Sequence, residues 1–218
     1  MIKYILSAIM AVIFICNSPL SAQNSKDPKA QDILKKVSAK YKSSKSISAN
    51  FSILTVDQKN NKTDSQKGSI IVKDNKYKLK LQGQEVICDG KASWTYIKET
   101  NEVQVNEVDN SDQGLSPTTI FTIYEKGFSS KYTGDTKEGK VTLQKIELVP
   151  DDKNKAYFKI LLNINKNERM ISSAKIFNKN GTHIIYSIEQ IELNKTFPES
   201  TFTFNAAAYP GVEVIDLR

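Results

Sequence analysis

His183 is the only histidine in this 218-residue chain, so any general acid or base role that needs an imidazole falls to it. It follows the turn Asn180-Gly181 and precedes Ile184-Ile185, which is the setting of a structural histidine in a strand. Nucleophilic chemistry has two cysteines to draw on. Cys16 lies in an apolar N-terminal run, and Cys88 closes Val86-Ile87-Cys88, where a thiol acts as a small buried hydrophobe. The carboxylates Asp109, Asp112 and Asp151-Asp152 stand in polar loops, the usual place for solvated charge. No His, Cys and carboxylate cluster has metal-ligand spacing, and no glycine-rich loop could cradle a phosphate. Carboxylates distant in sequence can still meet in space, but the residues favour a non-enzyme, with no catalytic residue, metal or cofactor expected.

The elements that would carry such residues begin after a leader. Met1-Ile2-Lys3 is a short basic start, an apolar run extends from Tyr4 to Cys16, and Asn17-Ser18-Pro19 breaks it before Leu20-Ser21-Ala22. This is the pattern of a cleavable secretory signal peptide, residues 1–22, with Ala22 the last residue removed. The run is shorter than the about twenty apolar residues needed to span a bilayer. Phe14-Ile15 stands before Cys16 where a lipoprotein site wants small residues. Removal of the leader leaves Cys88 alone, so no intramolecular disulfide is available and stability must come from packing. The formal net charge is +7, with the lysines spread among apolar residues rather than clustered with aromatics, which argues against a nucleic-acid groove.

Residues 23–218 read as one domain. Asp27-Pro28 pairs an N-cap with a first-turn proline, and Ala30, Ile33, Leu34, Val37 and Tyr41 recur at helical spacing. From Ile47 the period changes to two. Strands are predicted at 47–57, 66–73, 76–82, 84–88, 91–98, 102–108, 129–133, 140–149, 156–164, 169–177 and 182–193, with Thr201 to Phe204 as a further piece. The turns Asp74-Asn75, Gln82-Gly83, Asp89-Gly90 and Asn180-Gly181 make this a meander. The fold class is therefore mainly β, one highly curved sheet or an up-and-down barrel of about 11 strands. Between Val108 and Phe128 the meander pauses, and Ser116-Pro117 opens a predicted short helix bearing Ile120, Phe121, Ile123 and Tyr124 and closed by Gly127. Such a helix either plugs one end of a barrel as core or lies over a cavity as a lid.

Three stretches taken together resemble the LolA family of outer-membrane lipoprotein carriers. They are Ser46-Ile47-Ser48-Ala49-Asn50-Phe51, then Cys88-Asp89-Gly90-Lys91-Ala92-Ser93-Trp94-Thr95-Tyr96, and Phe202-Thr203-Phe204-Asn205 leading to Pro210-Gly211-Val212-Glu213-Val214-Ile215-Asp216. Gly68-Ser69-Ile70-Ile71-Val72 fits the family's second strand. The resemblance implies an incompletely closed antiparallel β-barrel covered by an N-terminal helix and a mid-chain helical insertion, and it favours the lid reading of residues 116–127. The Arg-Pro pair that follows the second strand in well-studied members is here Lys73-Asp74-Asn75.

What the resemblance implies for function is a periplasmic chaperone that takes the acyl chains of lipoproteins into a hydrophobic cavity and passes them toward the outer membrane. The expected cavity lining is Phe51, Ile53, Leu79, Leu81, Trp94, Tyr96, Val103 and Val105, with Ile120, Phe121 and Tyr124 as the lid. The expected partners are acylated lipoproteins or free lipid, an inner-membrane donor and an outer-membrane acceptor, with no nucleic acid and a monomeric chain. The alternatives are a lipid or glycolipid carrier and a lipid-stress sensor of the same fold.

Overall fold

The computed structural model describes residues 27–108, 121 and 123–218. The signal peptide, Ser116-Pro117 and Ile120 lie outside these residues. Helix α1 (Pro28–Lys42) starts as its sequence dictates: Asp27 is extended at φ −60° and ψ 118°, and its Oδ1 accepts the Lys29 N–H at 2.9 Å. The five apolar positions at helical spacing, Ala30, Ile33, Leu34, Val37 and Tyr41, are its five buried residues.

Twelve strands follow among the described residues: β1 (Ile47–Asp57), β2 (Lys62–Lys73), β3 (Lys76–Leu81), β4 (Gln84–Cys88), β5 (Ala92–Ile97), β6 (Glu102–Glu107), β7 (Phe128–Glu138), β8 (Val141–Pro150), β9 (Tyr157–Asn165), β10 (Met170–Asn178), β11 (Thr182–Leu193) and β12 (Glu213–Asp216). They form a single sheet in the order β12-β6-β5-β4-β3-β2-β1-β11-β10-β9-β8-β7. Two antiparallel meanders, β1 to β6 and β7 to β11, are joined where β1 pairs β11. Several hairpins turn on Asp or Asn in the left-handed region, Asp74 at φ +54° and Asn101 at φ +53°, which those short polar side chains tolerate.

Three expectations need correction. First, the sheet is not closed, in keeping with one curved sheet and against an up-and-down barrel, because both edges that would meet are taken by other parts of the chain. The outer edge of β6 pairs with β12, in parallel, so the sheet is not wholly antiparallel. The outer edge of β7 is met by the N-cap: Asp27 N–H donates to the Ser130 carbonyl at 3.1 Å, and Tyr132 N–H donates to Asp27 Oδ2 at 2.8 Å. The peptide-to-carboxylate bonds from Tyr132 first and Lys29 second hold the Asp27 carboxyl below its ordinary value. Second, the predicted mid-chain helix is not found in the described part of residues 116–127, where the regular structure is one 3-10 turn, Ile123–Glu125. Third, Thr201 to Phe204 is not a strand; Glu199–Phe202 is a 3-10 turn whose Phe202 is buried.

Opposed residues of an antiparallel ladder share a face, so the register assigns every side chain a side. The inner face, against which α1 packs, carries Ile47, Ala49, Phe51 and Ile53 of β1 together with Ile160, Leu162 and Ile164 of β9 and Ile146 and Leu148 of β8, and all of these belong to one buried cluster with the helix residues. Tyr41 ties the helix to the sheet, its hydroxyl accepting the Ile171 N–H at 2.9 Å.

Candidate functional site

The inner face is not evenly covered. Across β8, β9 and β10 its apolar side chains are sealed, with Ile146, Leu162 and Ile164 at 0% exposure beneath α1. Toward β11, β1, β2, β3 and β4 the same apolar row continues but Val72, Tyr77, Leu81, Val86, Tyr186 and Ile188 are only partly buried. An apolar floor that passes from sealed core to half-open surface, on the side that the helix covers, is the candidate ligand-binding site. Tyr77 and Tyr186 sit in it with their phenols raised, by burial in both and for Tyr77 also by Cys88. Cys88 itself is fully buried, and burial is the main cause that pushes its thiol up.

One end of the floor has a specific fit. Phe51 lies opposite Gly68, and Gly68 lies opposite Leu81. A Cβ on Gly68 would stand 2.7 Å from Phe51 Cζ, 2.7 Å from the Lys80 carbonyl oxygen and 2.8 Å from Leu81 Cδ2, so glycine is what lets the ring lie flat across the neighbouring strand. A cleft of about 410 Å³ beside Gly68 is lined mainly by residues of the outer face, among them Asn50, Lys67, Ser69 and Lys80.

The segment expected as a lid docks on α1 where it is described. Phe121 is buried and meets the Tyr41 ring edge-on at 5.1 Å between centroids. Glu125 accepts from Ser38 Oγ at 2.6 Å and from Lys42 Nζ at 2.8 Å. Tyr124 is buried beside them, its phenol raised by that burial, and its hydroxyl has no hydrogen-bond partner among the described residues. A cleft of about 330 Å³ runs between this segment and α1, past Gln31, Leu34, Ser38 and Phe128.

The eight residues expected to line one cavity divide between the two faces. Phe51, Ile53, Leu79 and Leu81 are on the inner face. Trp94 and Tyr96 are not: Ile87 opposes Trp94, which opposes Val105, and Glu85 opposes Tyr96, which opposes Val103, while the inner row on these strands runs Leu79, Val86, Thr95, Gln104. Alternation in β5 marks two partly buried positions but not the side they face. On the outer side the C-terminal segment packs on Tyr96. Tyr209 packs on Tyr96 at 4.5 Å and on Phe204 at 5.1 Å between ring centroids. Asn101 Nδ2 donates to the Pro210 carbonyl at 3.3 Å, and Phe202 is sealed on the same chain segment. Periodicity did mark Val72, Tyr77, Val86, Tyr186 and Ile188 as strand residues; their half-open position became visible only once the helix was seen to stop short of them.

Lys73 and Lys76 hold that C-terminal segment, with Nζ 2.6 Å and 2.5 Å from the two carboxylate oxygens of Glu199. Lys73, first, and Lys76 pull the Glu199 carboxyl down to about 2 from its ordinary 4.5. A carboxyl depressed in the folded chain stabilises it above the unfolded value and loses that contribution as pH falls through the folded one. The expected result is that the clasp loosens between about pH 4.5 and about pH 2. Emission of Trp94, the single tryptophan and an outer-face residue, reads this out. Glu199→Gln is expected to abolish the acid step, and an unchanged step in that variant counts against the clasp.

His183 packs on Phe177 at 4.6 Å between rings, and burial, Lys175 and Lys159 hold its imidazole below its ordinary value. Among the described residues no group of three His, Cys, Asp or Glu side chains is placed to hold a metal ion, and no helix is long and apolar enough to cross a membrane.

A family model described as outer membrane lipoprotein carrier protein LolA matches residues 42–205. No curated protein matches the chain in sequence. Among solved structures, an uncharacterized conserved protein from Thermus thermophilus is similar with a TM-score of 0.59 at 11% identity, over 86% of this chain and 99% of that one. A LolA superfamily protein from Nitrosomonas europaea gives a TM-score of 0.43 at 16% identity, over 80% and 97%. LprF from Mycobacterium bovis gives 0.46 at 12% identity, also over 80% and 97%. The first of these likenesses supports the fold and nothing further.

Proposed function

The chain belongs to the LolA family of outer membrane lipoprotein carrier proteins, and from that premise we propose that it is an exported, periplasmic carrier that holds acyl chains of lipoproteins or lipids against the half-open inner face. The observation that carries this reading is the row Val72, Tyr77, Leu81, Val86, Tyr186 and Ile188, apolar or aromatic side chains left partly exposed where the same face elsewhere is sealed. Each methylene taken from water is worth about 0.8 kcal/mol, so an acyl chain needs such a floor to cross an aqueous space. The floor must also let it go. A surface that starts half-hydrated, beside a helix and a docked segment that can shift, gives less than the full transfer energy and keeps the cargo exchangeable. The N-terminal leader, a basic start followed by an apolar run, supports export, and Phe121 and Tyr124 act in this reading as the part of the lid that rests on α1.

The test is direct. Protein purified from the periplasm is extracted and its bound species identified by mass spectrometry, lipoprotein and free lipid being the two cargoes to separate. Leu81→Asp combined with Ile188→Asp places two carboxylates on the partly exposed floor and is expected to weaken binding of an acyl fluorophore by at least about a hundredfold while the chain still folds, since each buried charge costs several kcal/mol. Undiminished binding in that variant removes the inner face as the site.

A further inference from the structure

The inner face changes character along its hydrogen-bonded rows. One row runs Ile70, Leu79, Val86, Thr95, Gln104 from β2 to β6, and the next runs Val72, Tyr77, Cys88, Ser93, Asn106. Both are apolar or aromatic over β2 to β4 and turn polar, together, on β5 and β6. Ser93, Thr95, Gln104 and Asn106 are all partly buried, and none makes a side-chain hydrogen bond among the described residues. Four neighbouring hydroxyl and amide groups on two paired strands, facing the same side as the apolar floor and adjoining it, supply both donors and acceptors to whatever lies there. The outer face of the same strands carries Trp94, Tyr96, Val103 and Val105, with Tyr209 of the C-terminal segment packed on Tyr96, so the usual polar-out pattern is reversed on these two strands.

We propose that β5 and β6 form a head-group site: the ligand is an acyl amphiphile lying across the sheet, its chain on β1 to β4 and an uncharged head, rich in hydroxyl or amide groups, over Ser93, Thr95, Gln104 and Asn106. The charge of the strip decides against an anionic phosphate head. The inner positions of β5 and β6 are Ser93, Thr95, Ile97, Glu102, Gln104 and Asn106, which include a carboxylate and no cation. A glyceryl head and the amide of an acylated peptide both present the required groups. This deepens the acyl-carrier reading and rests on it.

Displacement of N-phenylnaphthylamine, a probe with no hydrogen-bonding head, separates the two. Wild-type protein is expected to bind the naphthylamine, and to prefer monopalmitoylglycerol or a palmitoylated dipeptide amide over lysophosphatidic acid of the same chain length. Thr95→Val with Gln104→Leu keeps size while deleting two polar groups; it is expected to weaken monopalmitoylglycerol and the acyl dipeptide by about tenfold, the worth of one to two neutral hydrogen bonds, and to leave naphthylamine affinity and melting temperature unchanged. Ser93→Ala, which only removes a hydroxyl, is expected to give a smaller loss in the same direction. The ligand more affected by the double variant, glyceride or acyl dipeptide, identifies the source of the head. Naphthylamine binding with unchanged or tighter monopalmitoylglycerol and acyl-dipeptide binding in the double variant overturns the head-group site and leaves the carrier reading standing. Failure of wild-type protein to bind the naphthylamine removes both.

Discussion

Gly68→Val is expected to lower the melting temperature by about 6–12 °C, the equivalent of about 3 kcal/mol of overpacking in a chain of this size. Valine suits a strand better than glycine, but that gain is under about 1 kcal/mol. Against it stand three close approaches: a Cβ at this position meets Phe51 Cζ and the Lys80 carbonyl oxygen at 2.7 Å and Leu81 Cδ2 at 2.8 Å. The side-chain neighbours could turn aside, but the carbonyl belongs to the β2–β3 ladder and cannot move without parting the strands. Phe51 is buried on the floor beside Leu81, so the displaced ring is expected to change acyl-probe affinity along with stability. Thermal melts and probe titration of Gly68→Ala and Gly68→Val measure the two effects, the alanine variant falling between wild type and valine. A valine variant as stable as wild type would mean that Phe51 does not lie across Gly68.

The second large effect is a contrast of sign between two buried tyrosines at the seam between α1 and the segment docked on it. Tyr41→Phe is expected to destabilise the chain by about 1–3 kcal/mol, because its hydroxyl is the acceptor for the Ile171 N–H at 2.9 Å and that peptide group is left buried and unpaired. Ile171 stands at a register shift in β10, where the ladder to β9 skips a residue, so the sheet offers its N–H no ready substitute. Tyr124→Phe is expected to be neutral or to stabilise by up to about 1 kcal/mol, since it removes a buried hydroxyl that has no partner among the described residues. Both variants keep the aromatic volume, so packing is held constant and the hydroxyl alone is tested. Melting curves of the two proteins in one buffer suffice. Equal losses in both would show that Tyr124 donates a hydrogen bond that matters.

Much of this molecule was legible without coordinates. The period-3.6 run from Ala30 to Tyr41 named all five buried residues of α1, and Asp27-Pro28 marked its first turn, because capping and amphipathic burial are local properties of consecutive residues. Period-two alternation placed eleven strands near their observed positions for the same reason. It shortened β7, since Lys131 to Glu138 carries too few apolar residues to signal a strand.

Only the tertiary structure decided which side of the sheet each alternating residue faces and what lies over it. Trp94, Tyr96, Val103 and Val105 alternate as cleanly as Phe51 and Ile53, yet they face the other side of the sheet from the first helix, where the chain's last segment packs on Tyr96. Alternation reports that a side chain is buried; the partner that buries it comes from a segment far along the chain and leaves no local trace. The same holds for closure. The hairpin signals specify a meander, whereas the pairing of β12 with β6 and of Asp27 with β7, which keeps the sheet open, depends on which distant segment reaches each edge first.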